Sequence, residues 1–132
     1  MTAPGWLNAA IGEFGRAAGA PSLALNERGA AALAFENGAQ LRFEYTGEEL
    51  AIAVTLPGAG GVEARIAAAK RLFAVSHPKA RYGQFRVRTG ILARSGRYVL
   101  AVRLPERDAT LPHINTAFAL LWRLAEEIGG SR

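Results

Sequence analysis

Between residues 22 and 56, large apolar side chains recur at every second position, in short runs that are separated by turn sequences. Such alternation is typical of strands that bury one face of a sheet. The pair Asn37-Gly38 is a strong hairpin signal, because both residues tolerate a positive φ angle. The pattern therefore predicts an antiparallel meander of four short strands, within residues 23–25, 31–36, 41–45 and 50–56.

Helical periodicity appears before, between and after the predicted strands. Apolar steps of three and four residues predict helices at 6–18, from 62 to the His77-Pro78 pair, and at 111–128. Alternation returns over 84–91 and 98–104, which predicts two more strands. The element order α-β-β-β-β-α-β-β-α indicates one α+β domain over the whole chain, with helices packed on a twisted antiparallel sheet.

The composition provides little material for catalysis or metal binding. The chain has no cysteine, two histidines and a single aspartate, whereas thiolates, imidazoles and carboxylates supply most nucleophiles and metal ligands. No apolar run approaches the ~20 residues that span a bilayer, and the N-terminus lacks a signal-peptide pattern. We therefore expect a cytoplasmic, non-enzymatic protein with no cofactor, no metal and no membrane insertion. A small enzyme or ligand-binding domain is the weaker alternative.

Basic residues are concentrated in the second half of the chain. Residues 70–107 hold ten Lys/Arg and one Glu, whereas the segments on either side carry net negative charge. Such asymmetry predicts an anionic partner, although a merely solvated face is an equal alternative. An acidic protein is favoured over a nucleic-acid-binding module that uses residues 70–107, because no recognised nucleic-acid-binding motif is present. The candidate basic strip for this partner consists of Arg86, Arg88, Arg94, Arg97 and Arg103.

The predicted middle helix carries more apolar surface than one small core can use. Its apolar stripe contains Val62, Ile66, Ala69 and Phe73, and Leu72 lies beside it. Adjacent helical positions point about 100° apart, so Leu72 and Phe73 cannot share a narrow stripe. This surplus predicts a dimer, and the alternative is a monomer core that wraps around the helix.

The chain resembles the class I chaperones of bacterial type III secretion, which share the CesT/SycE-like fold. The similar stretches are residues 23–29, 33–38 and 41–54, and the resemblance covers nearly the whole chain. The segment 104–112, which reads LPERDATLP, resembles the SycN-type subgroup. The same resemblance extends to Ala117-Phe118, to Leu121-Trp122-Arg123-Leu124 and to the N-terminal Trp6-Leu7.

This resemblance implies a dimer, formed with a second small chaperone of the YscB type or with another copy. The dimer would bind an N-terminal non-globular segment of a secreted effector or YopN-like gatekeeper and keep it export-competent without ATP. The implied dimer-interface residues are Leu72, Phe73, Phe85, Val87 and Ile91. The candidate cargo-binding residues are Trp6, Leu23, Leu25, Leu33, Phe35 and Phe43. For each of these, a place in the ordinary core is the alternative.

Overall fold

The structure, a computed structural model, describes residues 2–58, 60–80 and 82–129. Five strands form one antiparallel sheet in the order β1-β2-β3-β5-β4, so β1 and β4 are its two edges. The strands are β1 (Ala30–Ala34), β2 (Gln40–Tyr45), β3 (Glu49–Leu56), β4 (Arg88–Ile91) and β5 (Tyr98–Pro105). The helices are α1 (Gly5–Ala17), α2 (Val62–Val75) and α3 (Leu111–Gly129), and a 3-10 turn spans Glu106–Asp108.

The predicted meander is confirmed in the centre of the sheet. Each apolar residue of β2 lies opposite an apolar residue of β3, as in the pairs Leu41–Val54 and Phe43–Ile52. These side chains are buried on one face of the sheet, whereas the intervening residues of β2 lie on its opposite face. Gly38 turns the chain between β1 and β2 with a φ of 88°, as the hairpin signal requires.

The strand predicted at residues 23–25 is wrong. Leu23 and Leu25 are buried, but their segment belongs to none of the five strands. The backbone N–H of Leu25 instead donates to Oδ1 of Asn8 on α1, at 3.0 Å. The alternation of Leu23 and Leu25 therefore arises from burial against α1 and not from pairing in the sheet. Three strands, and not four, precede α2.

The strand predicted over residues 84–91 is half as long in the structure. Only Arg88–Ile91 pairs with β5, and Tyr82 and Phe85 form an isolated bridge across a tight turn. Gly83, with a φ of 63°, makes that turn. Arg86 therefore precedes β4 and does not share a strand face with Arg88.

All three helices lie on one face of the sheet. The α3 helix packs across β3 and β5, α1 packs on α3, and α2 packs between α3 and the edge strand β4. The core between them contains the inward residues of β2, β3 and β5 and the buried faces of α1 and α3. The opposite face of the sheet presents many alanines, among them Ala32, Ala53 and Ala101. This arrangement leaves β1 at one edge of the sheet and β4, with α2 packed on it, at the other.

Replacing Gly15 with alanine is expected to destabilise the protein by about 1–3 kcal/mol, because the site has no room for a methyl group. A Cβ at this position would lie 2.5 Å from the carbonyl oxygen of Ala20 and 2.6 Å from Cβ of Leu23. Both contacts are too close, and the backbone oxygen cannot rotate away. Urea denaturation of the variant measures the loss.

Gly12 provides the matched control in the same helix. A Cβ at this position would lie 3.7 Å from a guanidinium nitrogen of Arg16, one turn along the same helix, which is an ordinary contact. The Gly12→Ala change should therefore stabilise the protein by about 0.5–1 kcal/mol through helix propensity. Equal effects of the two substitutions would contradict the close approach of the 20–23 segment to α1.

Candidate functional site

The edge strand β1 lies beside a partly open cluster of aromatic side chains. Its inward-facing Leu33 is half-buried, and Phe35 follows directly after the strand. The Phe35 ring centroid is 4.8 Å from that of Trp122 and 6.2 Å from that of Phe118. We call Leu33, Phe35, Phe118 and Trp122, together with the unpaired side of β1, the β1 groove.

Helices α1 and α3 hold the β1 groove in place. Phe118 and Trp122 are four residues apart on α3 and therefore share one helix face, with ring centroids 5.7 Å apart. Phe14 of α1 contacts Phe118 edge-on at 5.2 Å and Phe43 at 5.7 Å, which links the groove to the core. Edge-to-face contacts of this kind favour a fixed ring geometry. The β1 groove therefore has an apolar wall, packed on the core, beside an unpaired strand.

The six predicted cargo-binding residues fall into two groups in this structure. Trp6 is exposed, and Leu33 and Phe35 are half-buried in the β1 groove. The other three lie in the core: Leu23, Leu25 and Phe43. Phe43 is only 1% exposed, because it faces inward from the central part of the sheet.

A second apolar surface runs along the outer side of α2. Val62, Ile66 and Phe73 are 68%, 52% and 71% exposed, and they lie on one helix face with steps of four and seven residues. The opposite face of α2 packs on the protein through Ala68, Leu72 and Val75. We call Val62, Ile66 and Phe73 the α2 stripe.

Polar contacts fix the C-terminal end of α2 against the chain that follows it. The Tyr82 hydroxyl donates to the carbonyl oxygen of Val75 at 2.9 Å. The Thr89 hydroxyl donates to that of Ser76 at 2.9 Å, which ties β4 to the helix end. Ile91 at the end of β4 is 53% exposed, so this edge also presents apolar surface.

The five predicted dimer-interface residues are also divided. Phe73 and Ile91 are exposed, Phe85 is half-buried, and Leu72 and Val87 belong to the core. Because Leu72 and Phe73 point in different directions, one anchors α2 to its own chain and the other points into solvent. The apolar residues of α2 are therefore divided between a face that is buried in the protein and a face that is exposed to solvent.

The basic strip is mostly solvent-exposed. Arg86, Arg88 and Arg94 are exposed, and no carboxylate of the described residues forms an ion pair with them. Arg103 lies 3.8 Å from Glu49 in an exposed pair, an arrangement that contributes little stability. Arg97, in contrast, is half-buried and forms hydrogen bonds within the protein.

Arg97 joins three segments of the chain. Its guanidinium donates to Oγ1 of Thr55 at 3.0 Å and to the carbonyl oxygen of Gly38 at 2.7 Å. Thr55 is 3% exposed, so Arg97 satisfies a buried hydroxyl as well as a turn carbonyl. This side chain therefore holds the hairpin ends together and is not free for a partner.

Among the residues that the structure describes, the Tyr45 hydroxyl has a pKa above its ordinary value. The Tyr45 hydroxyl bonds to the Glu106 carboxylate and lies 3.1 Å from the carbonyl oxygen of Gly47. The hydrogen bond to Glu106 raises the pKa of Tyr45, and burial and the negative charge of Glu106 add to the effect. The contact ties the β2–β3 turn to the 3-10 segment and serves the fold.

Clusters of metal-ligating side chains and membrane-spanning helices are both absent from the described residues. Residues 2–58, 60–80 and 82–129 contain no group of three or more His, Asp or Glu side chains that could hold a metal ion. Within the same residues, no helix combines the length and the apolar character that a membrane span requires.

Sequence reasoning missed part of each surface. Phe118 fits the three- and four-residue apolar spacing of α3, but Ala117 and Leu124 are the buried residues there, and the half-buried Phe118 ring lies against Phe35 and Trp122. The sequence signal for this second face of α3 is the four-residue spacing of Phe118 and Trp122, each of which follows a buried residue, Ala117 and Leu121. Periodicity also could not show that the regular Val62–Phe73 pattern is the outer face of its helix.

Comparisons with known proteins agree with this architecture. The sequence profile of the family described as type III secretory system chaperone SycN matches residues 6–129. A search of curated proteins gives no match.

Solved structures of other proteins contain chains with the same fold. The chain superposes on a chain of the ExsC–ExsE complex with a TM-score of 0.70 at 21% identity, covering 98% of this chain and 95% of that one. For the HopA1–SchA chaperone–effector complex the TM-score is 0.69 at 14% identity, covering 96% and 94%. For the ExoU–SpcU complex of Pseudomonas aeruginosa it is 0.62 at 15% identity, covering 92% and 93%.

The family profile covers almost the whole chain, and the five-stranded sheet with three helices on one face is the fold of those chaperones. The predicted resemblance is thereby confirmed at the level of family and fold. The chain belongs to the SycN family of type III secretory system chaperones.

Proposed function

We propose that this chain is a cytoplasmic chaperone subunit that binds an N-terminal, non-globular segment of a secreted protein and keeps it export-competent. The β1 groove carries the proposal, because an unpaired strand edge beside an apolar wall suits an extended peptide. Main-chain hydrogen bonds along β1 would provide affinity without regard to sequence, and the aromatic wall would select apolar side chains at alternate positions.

The fold neighbours support binding of a secreted protein. HopA1–SchA is a chaperone–effector complex, and ExoU–SpcU is a heterodimeric complex from the type III secretion system. Binding of this kind requires no ATP, since the cargo segment is held by the same contacts that a sheet edge and an apolar groove offer to any strand. A YopN-like gatekeeper is the cargo that the SycN-type resemblance suggests.

The exposed α2 stripe supports a second element of the proposal, a two-subunit chaperone. Three large apolar residues on one helix face would be covered by a second subunit, which we propose to be a small YscB-like chaperone. The partner contact would extend to Ile91 at the neighbouring sheet edge. Because β1 and β4 are opposite edges of the sheet, the subunit contact leaves the β1 groove open to cargo.

Affinity capture with variants of the β1 groove tests the proposal. The tagged chain, expressed in its native bacterium, should retain a type III-secreted protein and a second small chaperone in stoichiometric amounts. Phe35→Ala should recover less than about a tenth of the cargo, since loss of an anchor side chain costs ~2 kcal/mol or more. The same variant should recover as much of the second chaperone as the unmodified chain does, measured by quantitative mass spectrometry.

Glu36→Ala is the matched control, because Glu36 is the exposed neighbour of Phe35. It should retain cargo like the unmodified chain. Thermal unfolding of both variants checks that each is folded. Undiminished cargo with Phe35→Ala, or recovery of nucleic acid in place of a secreted protein, would contradict the proposal.

A further inference from the structure

The charge of this protein is distributed unevenly between the β4 edge and the β1 edge of its sheet. Residues 62–97, which form α2, β4 and their connections, contain nine Lys/Arg and one Glu, a net charge of +8. Residues 1–61, which form α1 and the β1–β3 meander, contain three Arg and six Glu, a net charge of −3. The cationic side is therefore the side that carries the α2 stripe, and the β1 groove belongs to the acidic side.

Basic side chains border the α2 stripe directly. Arg65 and Lys70 are exposed and lie about 80° and 60° to either side of the stripe on the helix, at 100° per residue, and Glu63, on the same side as Lys70, is the one acidic residue of α2. On the neighbouring edge strand, Arg88 is exposed as well. The residues of this face that the structure describes form no ion pair that neutralises Arg65, Lys70 or Arg88. Any chain that covers the stripe must approach these cations.

A twofold dimer would bring this face against a copy of itself, because an isologous interface uses the same patch on both subunits. The cations of one copy would then face those of the other, and like charges across an interface weaken association. An acidic chain at the same place would be attracted by the same residues.

We propose that the α2/β4 face selects an acidic subunit and rejects a second copy of this chain. The inference rests on the two-subunit chaperone of the proposed function and specifies the chemistry of the partner. The apolar stripe provides contact area, and the surrounding cations determine which chain can use it.

A charge-reversed copy of the protein serves as the acidic partner in a direct test. The double substitution Arg65→Glu and Lys70→Glu keeps the α2 stripe and changes the sign of its borders. Sedimentation velocity in about 50 mM salt should show that the mixture of unmodified and reversed chains dimerises at least about tenfold more tightly than the unmodified chain alone. In about 0.5 M salt the difference should disappear, because exposed charges are then screened.

The control variant carries the same change of charge on the opposite side. Arg16 and Arg28 are exposed and lie on α1 and on the turn before β1, so Arg16→Glu with Arg28→Glu should not strengthen association with the unmodified chain. A tight dimer of the unmodified chain alone, or no association in the Arg65/Lys70 mixture, would overturn the inference. Cargo capture through Phe35 is a separate measurement, so failure here is distinguishable from failure of the chaperone proposal.

Discussion

Phe43→Ala is expected to destabilise the protein by about 3–5 kcal/mol, the range for truncating a large buried aromatic side chain. Phe43 is 1% exposed, lies opposite Ile52 in the sheet and contacts the Phe14 ring edge-on at 5.7 Å. The substitution removes the ring and leaves a cavity that β2 and α1 cannot close without breaking their other contacts. Urea denaturation followed by far-UV circular dichroism measures the loss.

Phe73→Ala is the matched control, with the same residue type and the same truncation. Phe73 is 71% exposed on α2, so this change should alter the free energy of unfolding by no more than about 0.5 kcal/mol. A small effect at Phe43 would mean that its ring is available to cargo after all. A large effect at Phe73 would mean that α2 packs differently from the structure.

The sheet could be predicted from the sequence because its signals are local. Alternation gives strands, and Asn37-Gly38 gives a hairpin whatever the rest of the chain does. The segment with Leu23 and Leu25 shows where this reasoning fails, since burial against α1 produces the same two-residue spacing as a strand. The deciding contact, from Leu25 to Asn8, joins residues 17 positions apart and leaves no local signal.

The functional surfaces were harder to predict, because periodicity identifies an apolar face but not what covers it. The α2 stripe has the regular spacing of a core face, yet Ala68, Leu72 and Val75 are the residues that pack inward. Likewise, only the pairing order shows that β1 is an edge and that Phe35 meets Trp122 there. Charge was more informative than periodicity, since eight of the ten Lys/Arg in residues 70–107 belong to α2, β4 and the connections up to residue 97.

The Phe73→Asp substitution should weaken binding of the second subunit by more than about 100-fold while the monomer remains folded. Phe73 is the largest side chain of the α2 stripe, and large aromatic residues at the centre of an interface contribute most of its binding energy. Aspartate removes that contact and adds a charge that the closed interface would have to desolvate. In the free protein the same charge stays in water, so thermal unfolding should change little.

Ala74→Asp separates the effect of position from the effect of charge. Ala74 is exposed and follows Phe73, about 100° further around the helix and outside the α2 stripe. It adds the same negative charge to the same basic face, so any general electrostatic penalty toward an acidic partner is equal in both variants. Ala74→Asp should therefore retain the second subunit in affinity capture when Phe73→Asp loses it. Equal loss in both would assign the effect to charge alone, and equal retention would show that the α2 stripe is not the subunit contact.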